Sequence, residues 1–427
     1  MNSKWLILSH AFNMDGRAAS QTITDKIPHL LKKGLTLEVL SSISGDQCIK
    51  IPHKRLMPWG PSGFIFDFRF LLRKTIGKGY LYNLIIFGLS ILLLPFIIFE
   101  KLFIGLPNHI SWSLPASLVG IYRVKRKQVN LIYSTGGSWS AHLAGYWIWK
   151  FTKVKWIVEL HDPLYSIYDA NKKSREIDRL KWLEKKINDH ATLVWWFSEG
   201  AEKRARENHT IQGVGFNELA GANPPILNQT YSQNKSKIIF STFGSLTPGR
   251  SLTPFINGLG ELIKSGEINP NIIEIHVYGG LLDEESEKTI YKYHLEKLIF
   301  NHGRIESSNN MSGRRIIMGQ MMQSDILLLM HGQDENCKEY IPSKFYEYLY
   351  AKRAILAYPY KNKQFSKLLD ESNCYISSIE NSSETILGVI CDWRKGKLRT
   401  TNKVISTEKL VNKIIKELRS VENSPIL

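Results

Sequence analysis

The sequence predicts an α/β protein of two Rossmann-like domains, each a doubly wound parallel sheet, facing each other across a cleft. Three observations predict it. The chain has 427 residues, too many for one compact core. Short apolar strands alternate with helical pattern in two separate series. Between the series lies Asn223-Pro-Pro-Ile-Leu-Asn-Gln-Thr-Tyr-Ser-Gln-Asn234, polar and proline-bearing, which reads as a linker.

The first series begins at once. Met1-Asn-Ser-Lys4 runs straight into Trp5-Leu-Ile-Leu-Ser9, too short a stretch for the apolar core of a secretory leader and expected to be the first buried strand. Further strands are expected at 35–41, 129–134, 155–160 and 192–198, and helices at 18–33, 114–127, 141–151, 174–190 and 199–207. The second series places strands at 237–243, 272–278, 325–330, 354–358 and 373–376. Its helices are expected at 254–265, 283–297, 313–323, 343–351 and 407–419. The predicted domains are therefore 1–225 and 235–405, with 406–427 as a closing helix. Four cysteines, Cys48, Cys337, Cys374 and Cys391, show no metal or redox spacing, which fits a reducing cytosol.

Residues 52–108 interrupt the rhythm of the first series. The formal charge of the chain is +17. Between Gln47 and Val158 fifteen Lys/Arg face two acids, Asp67 and Glu100, so most of the excess sits in about a quarter of the sequence. Such asymmetry points to an anionic partner, nucleic acid or a membrane surface. Inside the basic region, Gly79 to Phe99 carry no charge and are dominated by Leu84-Ile-Ile-Phe87 and Ile91-Leu-Leu-Leu-Pro-Phe-Ile-Ile-Phe99. As a straight helix this run would extend ~30 Å, enough to cross a hydrocarbon core. Arg69, Arg73, Lys74 and Lys78 precede it and Lys101 follows, the flanks of an interfacial anchor. A buried core helix, an in-plane or re-entrant insertion and a span are the three readings. Insertion is preferred, with Pro95 expected to break the helix; a span would part the first strands from their sheet.

The chemistry concentrates at strand ends, where open parallel sheets bind ligands. In the second series, Glu339-Tyr-Ile-Pro-Ser-Lys-Phe-Tyr-Glu347 places two carboxylates eight positions apart around a Pro-Ser-Lys turn, between two apolar strands. A helix N-terminus there suits a phosphate, and a carboxylate one turn in can accept hydrogen bonds from sugar hydroxyls. The same pattern describes a glutamate serving the helix dipole. Phe243-Gly244-Ser-Leu-Thr-Pro-Gly249-Arg250 follows another strand. Its glycines allow close backbone approach and Arg250 can neutralise phosphate oxygens, although a surface turn with a solvated arginine has the same sequence. In the first series, Met14-Asp15-Gly16-Arg17 opens the helix after strand one, a phosphate loop or a plain turn. Glu159-Leu-His161-Asp162-Pro163 ends a strand. His161, an imidazole that can both give and take a proton, can handle a proton, hold a phosphate or simply be satisfied structurally. Ser134-Thr-Gly-Gly-Ser138-Trp-Ser-Ala-His142 is a small-residue loop in which Ser138 can approach a ligand, while His142 reads as packed core. Trp147, Trp149, Trp195 and Trp196 read as packing residues rather than a sugar platform. No Asp-x-Asp triad, histidine cluster or Gly-x-Ser-x-Gly elbow is present.

The stretch 339–347 resembles the Glu-x7-Glu signature of retaining glycosyltransferases of the GT-B fold, and Pro342-Ser-Lys-Phe-Tyr-Glu-Tyr-Leu349 resembles a bacterial branch, similar to glycosyltransferase family 4, that builds surface polysaccharides. The likeness covers most of the chain from Met14 to Pro359. It is strongest at 340–356 and at 111–163, including Trp112-Ser-Leu-Pro-Ala116. It implies a GT-B fold whose last helix crosses back to the first domain. It implies donor binding by the Gly244–Arg250 loop and Glu347, with Glu347 on the ribose and Arg250 on the pyrophosphate; the residues themselves add Gly16 and Lys344 to the donor-binding set. Catalytic roles fall to His161, Glu339 and Arg250, and the acceptor side to Asp162 and Ser138. Many relatives add a lysine about five positions after the arginine; position 255 here is Phe, which leaves Lys344 as the substitute cation.

The expected activity is metal-independent, retaining transfer from a nucleoside-diphosphate sugar, with no cofactor, to a lipid-linked or surface-glycan acceptor in capsule, exopolysaccharide or lipopolysaccharide synthesis. The expected location is the cytoplasmic face of a bacterial inner membrane, peripheral or monotopic on an anionic surface. A catalytically silent nucleotide-sugar-binding scaffold is the alternative. A nucleic-acid binder is disfavoured, since no recognition motif accompanies the charge.

Overall fold

The computed structural model describes residues 3–14, 17–103, 108–165, 173–225, 236–305 and 312–423. The chain divides into two compact units, residues 1–219 with 407–427, and residues 220–406. Of the predicted linker 223–234, residues 226–234 lie outside the described set.

The first unit is built on a seven-stranded parallel sheet: β1 (Lys4–Leu8), β2 (Thr36–Ser42), β3 (His53–Leu56), β4 (Leu131–Gly136), β5 (Lys155–Leu160), β6 (Leu193–Trp196) and β7 (Val214–Asn217), in the order β3-β2-β1-β4-β5-β6-β7. Alternate side chains on a strand face opposite sides. Leu6 and Leu8 therefore join Trp112, Ile148 and Trp156 on one face, while Trp5 and Ile7 join Ile23, Ile27 and Leu30 on the other. Both faces are covered, by α4 (Ser113–Lys125), α5 (Trp139–Thr152) and α6 (Arg175–His190) on the first side and by α1 (Ala18–Lys32) on the second. A short helix, α7 (Glu199–Asn208), joins β6 to β7. Full coverage is why the central strands are largely apolar, as buried parallel strands are.

The second unit holds six parallel strands: β8 (Ile238–Phe243), β9 (Ile273–Tyr278), β10 (Ile299–Gly303), β11 (Ile326–Met330), β12 (Ala354–Tyr358) and β13 (Tyr375–Ile376), ordered β10-β9-β8-β11-β12-β13. Its helices are α8 (Thr253–Lys264), α9 (Glu284–Lys292), α10 (Gly313–Gln323), α11 (Ser343–Ala351), α12 (Lys363–Glu371) and α13 (Ser382–Arg394). The strand order reverses between β1 and β4 in the first unit and between β8 and β11 in the second. Those are the switch points at which such sheets leave a crevice for ligands. The fold is thus the predicted pair of doubly wound α/β sheets. The last helix, α14 (Thr407–Asn423), belongs to the first unit. It buries Leu410, Val411, Ile414 and Leu418, a stripe at helical spacing, beside α1.

Residues 52–108 differ from expectation in two ways. They contribute β3 to the sheet edge, paired with β2 from Val39↔His53 to Ser42↔Leu56, so the segment is not all insertion. The apolar run is one continuous helix, α3 (Tyr80–Phe103), and Pro95 lies inside it. A proline removes one helical hydrogen bond, and the long run of apolar residues on either side carries the helix past it.

The helix before it, α2 (Pro61–Ile76), lies across the loops that follow β1 and β2. Its Asp67 is fully buried, 3.2 Å from His10 Nε2, and accepts from Ser42; Arg17 sits over Phe70; Lys74 pairs with Asp46. After the turn at Gly77-Lys78-Gly79, α3 runs back along α2. Its Glu100 accepts from the Ser62 backbone amide (3.0 Å) and hydroxyl (2.6 Å), and so caps the start of α2. The last carbonyls of α3, at Leu102 and Phe103, accept from Arg175 and Arg179 of α6. Both ends of this hairpin are therefore held on the same unit. The outer length of α3 is bare, with Phe87, Leu92 and Phe96 exposed at 65, 70 and 62 %.

Packing is tight where α5 meets β5. A methyl added at Gly145 would lie 2.5 Å from Trp156 Nε1. Gly145→Ala is expected to lower stability by about 1–3 kcal/mol despite alanine's better helix propensity, because the rigid indole cannot yield. Chemical denaturation of the full chain checks this, and an unchanged or raised midpoint would contradict it.

Candidate functional site

Each unit gathers polar side chains at its switch point. In the second unit, β8 is followed by Gly244 (φ +122°) and β9 by Gly279 (φ +122°). A Cβ at Gly279 would sit 2.8 Å from the Gly244 carbonyl oxygen, so the two strand ends abut as bare backbone. The loop after β8 closes as a tight turn, with Arg250 N donating to Thr247 O at 2.7 Å. The loop after β11 is fixed to it by Gln333 N donating to Gly249 O at 2.8 Å. Two buried polar side chains hold that second loop. Asn362 donates to the carbonyls of Cys337 and Tyr340, both at 2.8 Å, and His331 Nε2 lies 2.7 Å from Cys337 O. Arg250 Nη2 thereby meets the Tyr340 hydroxyl at 3.3 Å, while its buried Nε has no hydrogen-bond partner among the described residues. Burial pushes the Tyr340 phenol up to about 12, so it stays protonated.

Glu339 ends the short 3-10 turn Glu335–Glu339 and is buried, not solvated. Pro342 precedes α11, and Glu347 lies one turn in, 5 % exposed. Its position is set by its neighbour Tyr348. That buried hydroxyl donates to Leu328 O and accepts from Phe243 N, both at 3.1 Å, tying α11 to β11 and β8 on either side of the switch point. Both oxygens of Glu347 meet cations: Lys344 Nζ at 2.5 Å and Arg314 Nε at 3.1 Å. Burial acts to raise its pKa, but Lys344 and Arg314 outweigh burial and hold the carboxyl below the usual range. The result is an ionised carboxylate, able only to accept hydrogen bonds, flanked by two cations able only to donate.

In the first unit, β4 runs into Gly136 (φ +112°), Gly137 and Ser138, and β5 into His161 and Asp162. The two loops are neighbours, since a Cβ at Gly137 would lie 3.8 Å from Asp162 Oδ2. Asp162 is exposed. Ser138 starts α5, half-buried, with its hydroxyl 2.7 Å from that of Ser140. His161 Nε2 lies 2.8 Å from Glu159 Oε1 and 3.3 Å from Thr135 Oγ1. Glu159 is fully buried. Lys26 of α1 donates to its Oε1 at 2.7 Å and Tyr133 donates to its Oε2. Burial opposes its ionisation, but Lys26 and His161 pull its pKa down to about 2. His142 is a satisfied core residue, between Ser134 Oγ at 3.0 Å and Gly136 O at 3.3 Å.

Of the expected site residues, Gly16 lies outside the described set. The second unit brings Arg250 against Tyr340, the neighbour of Glu339, and Lys344 against Glu347, with Gly244 heading the loop that carries Arg250. The first unit sets His161, Asp162 and Ser138 in adjoining loops. Sequence reading missed Arg314, Asn362, Lys26 and the part played by Glu159. Arg314 opens α10, 33 positions from Glu347, and Lys26 is 133 positions from Glu159, separations no local pattern reveals. Among the described residues, no group of three or more His, Cys, Asp or Glu side chains could hold a metal ion.

Burial pushes His142 and His331 down to about 4 from an ordinary 6.5. The unfolded chain therefore takes up protons first, and stability that is complete above pH 6.5 is lost as pH falls toward 4. The urea midpoint is expected to drop across that window; a flat profile between pH 7 and 4.5 would contradict this.

No protein-family model matches the sequence, and no curated protein sequence does. Solved structures do match over nearly the whole length. HepE (Alr3699) of Anabaena, crystallised with UDP and glucose, superposes with a TM-score of 0.60 at 13% identity, over 98% of this chain and 100% of that one. Sucrose-phosphate synthase of Thermosynechococcus elongatus gives 0.60 at 12%, over 99% of both chains. The lipopolysaccharide outer core galactosyltransferase WaaB gives 0.53 at 11%, over 99% of this chain and 100% of that one. At these identities the likeness establishes the fold, which is GT-B.

Proposed function

We propose that this GT-B chain is a glycosyltransferase that moves a sugar from a nucleoside diphosphate to a lipid-linked or surface-glycan acceptor, with retention at the anomeric carbon and without a metal ion. The observation that carries the reading is Glu347, an ionised carboxylate buried at a switch point between two cations. A ribose diol can donate to both of its oxygens. The diol would take over acceptor sites now used by Lys344 and Arg314, which frees positive charge for the adjoining diphosphate. Arg250, whose buried Nε makes no hydrogen bond to the described residues, adds a further donor to the charge that develops on the leaving diphosphate. Glu339 would border the transferred sugar, and His161, Asp162 and Ser138 the acceptor. The structures crystallised with UDP and glucose or named as a galactosyltransferase are consistent with such a donor.

The bare helix α3 supports a monotopic seat on an anionic bilayer, here the cytoplasmic face of a bacterial inner membrane. It is long and apolar enough to span one. Spanning would, however, strip it from α2, from Ser62 and from Arg175 and Arg179. Lying in the interface plane keeps those contacts and buries the exposed face, with Arg69, Arg73, Lys78 and Lys101 nearby for anionic headgroups. A lipid-linked acceptor follows from that seat.

Membranes holding the protein, incubated with UDP-, GDP- and dTDP-sugars, should yield a lipid-linked product identifiable by mass, with the donor's anomeric configuration and with no loss in EDTA. No product from any donor would overturn the transferase reading; an inverted product would overturn retention alone.

A further inference from the structure

The pair formed by Lys26 and Glu159 calls for explanation. Both side chains are fully buried, on a sheet face otherwise made of Trp5, Ile7, Ile157 and Trp195. The Lys26 ammonium lies over the rings of Trp195 and Phe197, at 5.3 and 5.6 Å. Taking two charges out of water is expensive, and well-packed apolar replacements of a buried ion pair are often as stable or more so. Stability alone therefore gives weak reason for this pair. Its outward contact is His161, at the open end of β5.

We propose that Lys26 and Glu159 are positioning residues for His161, holding its ring with Nε2–H turned inward and the Nδ1 lone pair presented at the strand end to an acceptor hydroxyl. This rests on the reading of His161 as an acceptor-side residue. Four observations carry it. Glu159 cannot turn, because Oε1 is shared by Lys26 at 2.7 Å and His161 at 2.8 Å while Oε2 accepts from Tyr133. An ionised carboxylate only accepts, so the proton between Glu159 and His161 belongs to Nε2. Phe197 packs on the imidazole, with ring centroids 4.7 Å apart, and Thr135 approaches the same Nε2 at 3.3 Å. Nδ1 makes no hydrogen bond to any of the described residues. The partner of one ring nitrogen thus decides what the other can do.

The test uses the full chain labelled with 15N-histidine, with the His161 signals assigned by His161→Gln. Long-range 1H–15N spectra of the unliganded wild type should show the Nε2–H tautomer; the Nδ1–H tautomer would overturn the proposal. The double variant Lys26→Met/Glu159→Leu removes both charges together and should stay folded. Its His161 signals should shift to an averaged tautomer, and transfer should fall roughly 100-fold in kcat, the scale of a misplaced general base, with the donor KM within twofold. Unchanged signals, or turnover within twofold of wild type, would overturn it. Should the double variant not fold, the wild-type spectrum still decides. Because that spectrum needs no substrate, the two failures are distinguishable: an absence of transferase activity would sink the functional reading and with it the acceptor role of Nδ1, while the tautomer would still report whether Lys26 and Glu159 hold the ring.

Discussion

Glu347→Gln is expected to lower kcat/KM for transfer by roughly 100- to 1,000-fold, chiefly through the donor KM. A hydrogen bond to a charged group contributes about 1.5–3 kcal/mol, two such bonds to a ribose diol therefore about 3–4 kcal/mol or more, and each 1.4 kcal/mol is tenfold. Glutamine keeps the shape but replaces one acceptor oxygen with a donor, which meets the diol and a neighbouring cation unfavourably. The fold should tolerate the change. Lys344 and Arg314 keep 24 and 25 % of their side-chain surface exposed and can turn toward water once the carboxylate is gone. The check is a donor-binding titration beside a thermal melt. Unaltered donor affinity in a folded variant would remove the nucleotide from this carboxylate.

Phe87→Glu/Leu92→Glu/Phe96→Glu is expected to release the protein from anionic vesicles, with a loss of at least about 1,000-fold in partitioning. Burying a side chain of this size contributes ~1.5–3 kcal/mol, so losing three removes more than ~4 kcal/mol before the cost of the new charges. All three are on the bare length of α3, so the hairpin itself should persist. Vesicle flotation checks the outcome. High salt should weaken wild-type binding only in part, because it screens the basic flanks at ~1 kcal/mol per charge and leaves the apolar term. Unchanged flotation of the triple variant would place the bilayer contact elsewhere.

The central strands were legible because burial on both faces writes an apolar run into the sequence. The strands that were missed, β3, β7 and β10, are all at sheet edges. His53-Lys54-Arg55-Leu56 shows why: an edge strand has one open side and carries polar residues there, which erases the pattern. Pro95 shows the opposite case: a single helix breaker counts for less than the long apolar helical run on both sides of it. At the site, Glu347 and Lys344 were readable because they are three residues apart on one helix. Arg314 and Lys26 were not, because the fold alone brings them to their partners. Glu339 is buried in the loop braced by Asn362, a packing that no local pattern announces.

The placement of α14 has a bearing on how the chain is made. The polypeptide leaves the first unit after Leu219 and re-enters it only at Thr407, past Ala222 and Ser406, which pair as adjacent backbone. During synthesis the surface of α1 that receives Leu410, Val411, Ile414 and Leu418 must wait, uncovered, until the ribosome has released nearly the whole protein. At ordinary translation speeds that delay is tens of seconds. Nascent chains stalled before residue 407 should accordingly remain bound to chaperones and sensitive to protease in their N-terminal half, even with residues 220–406 already folded.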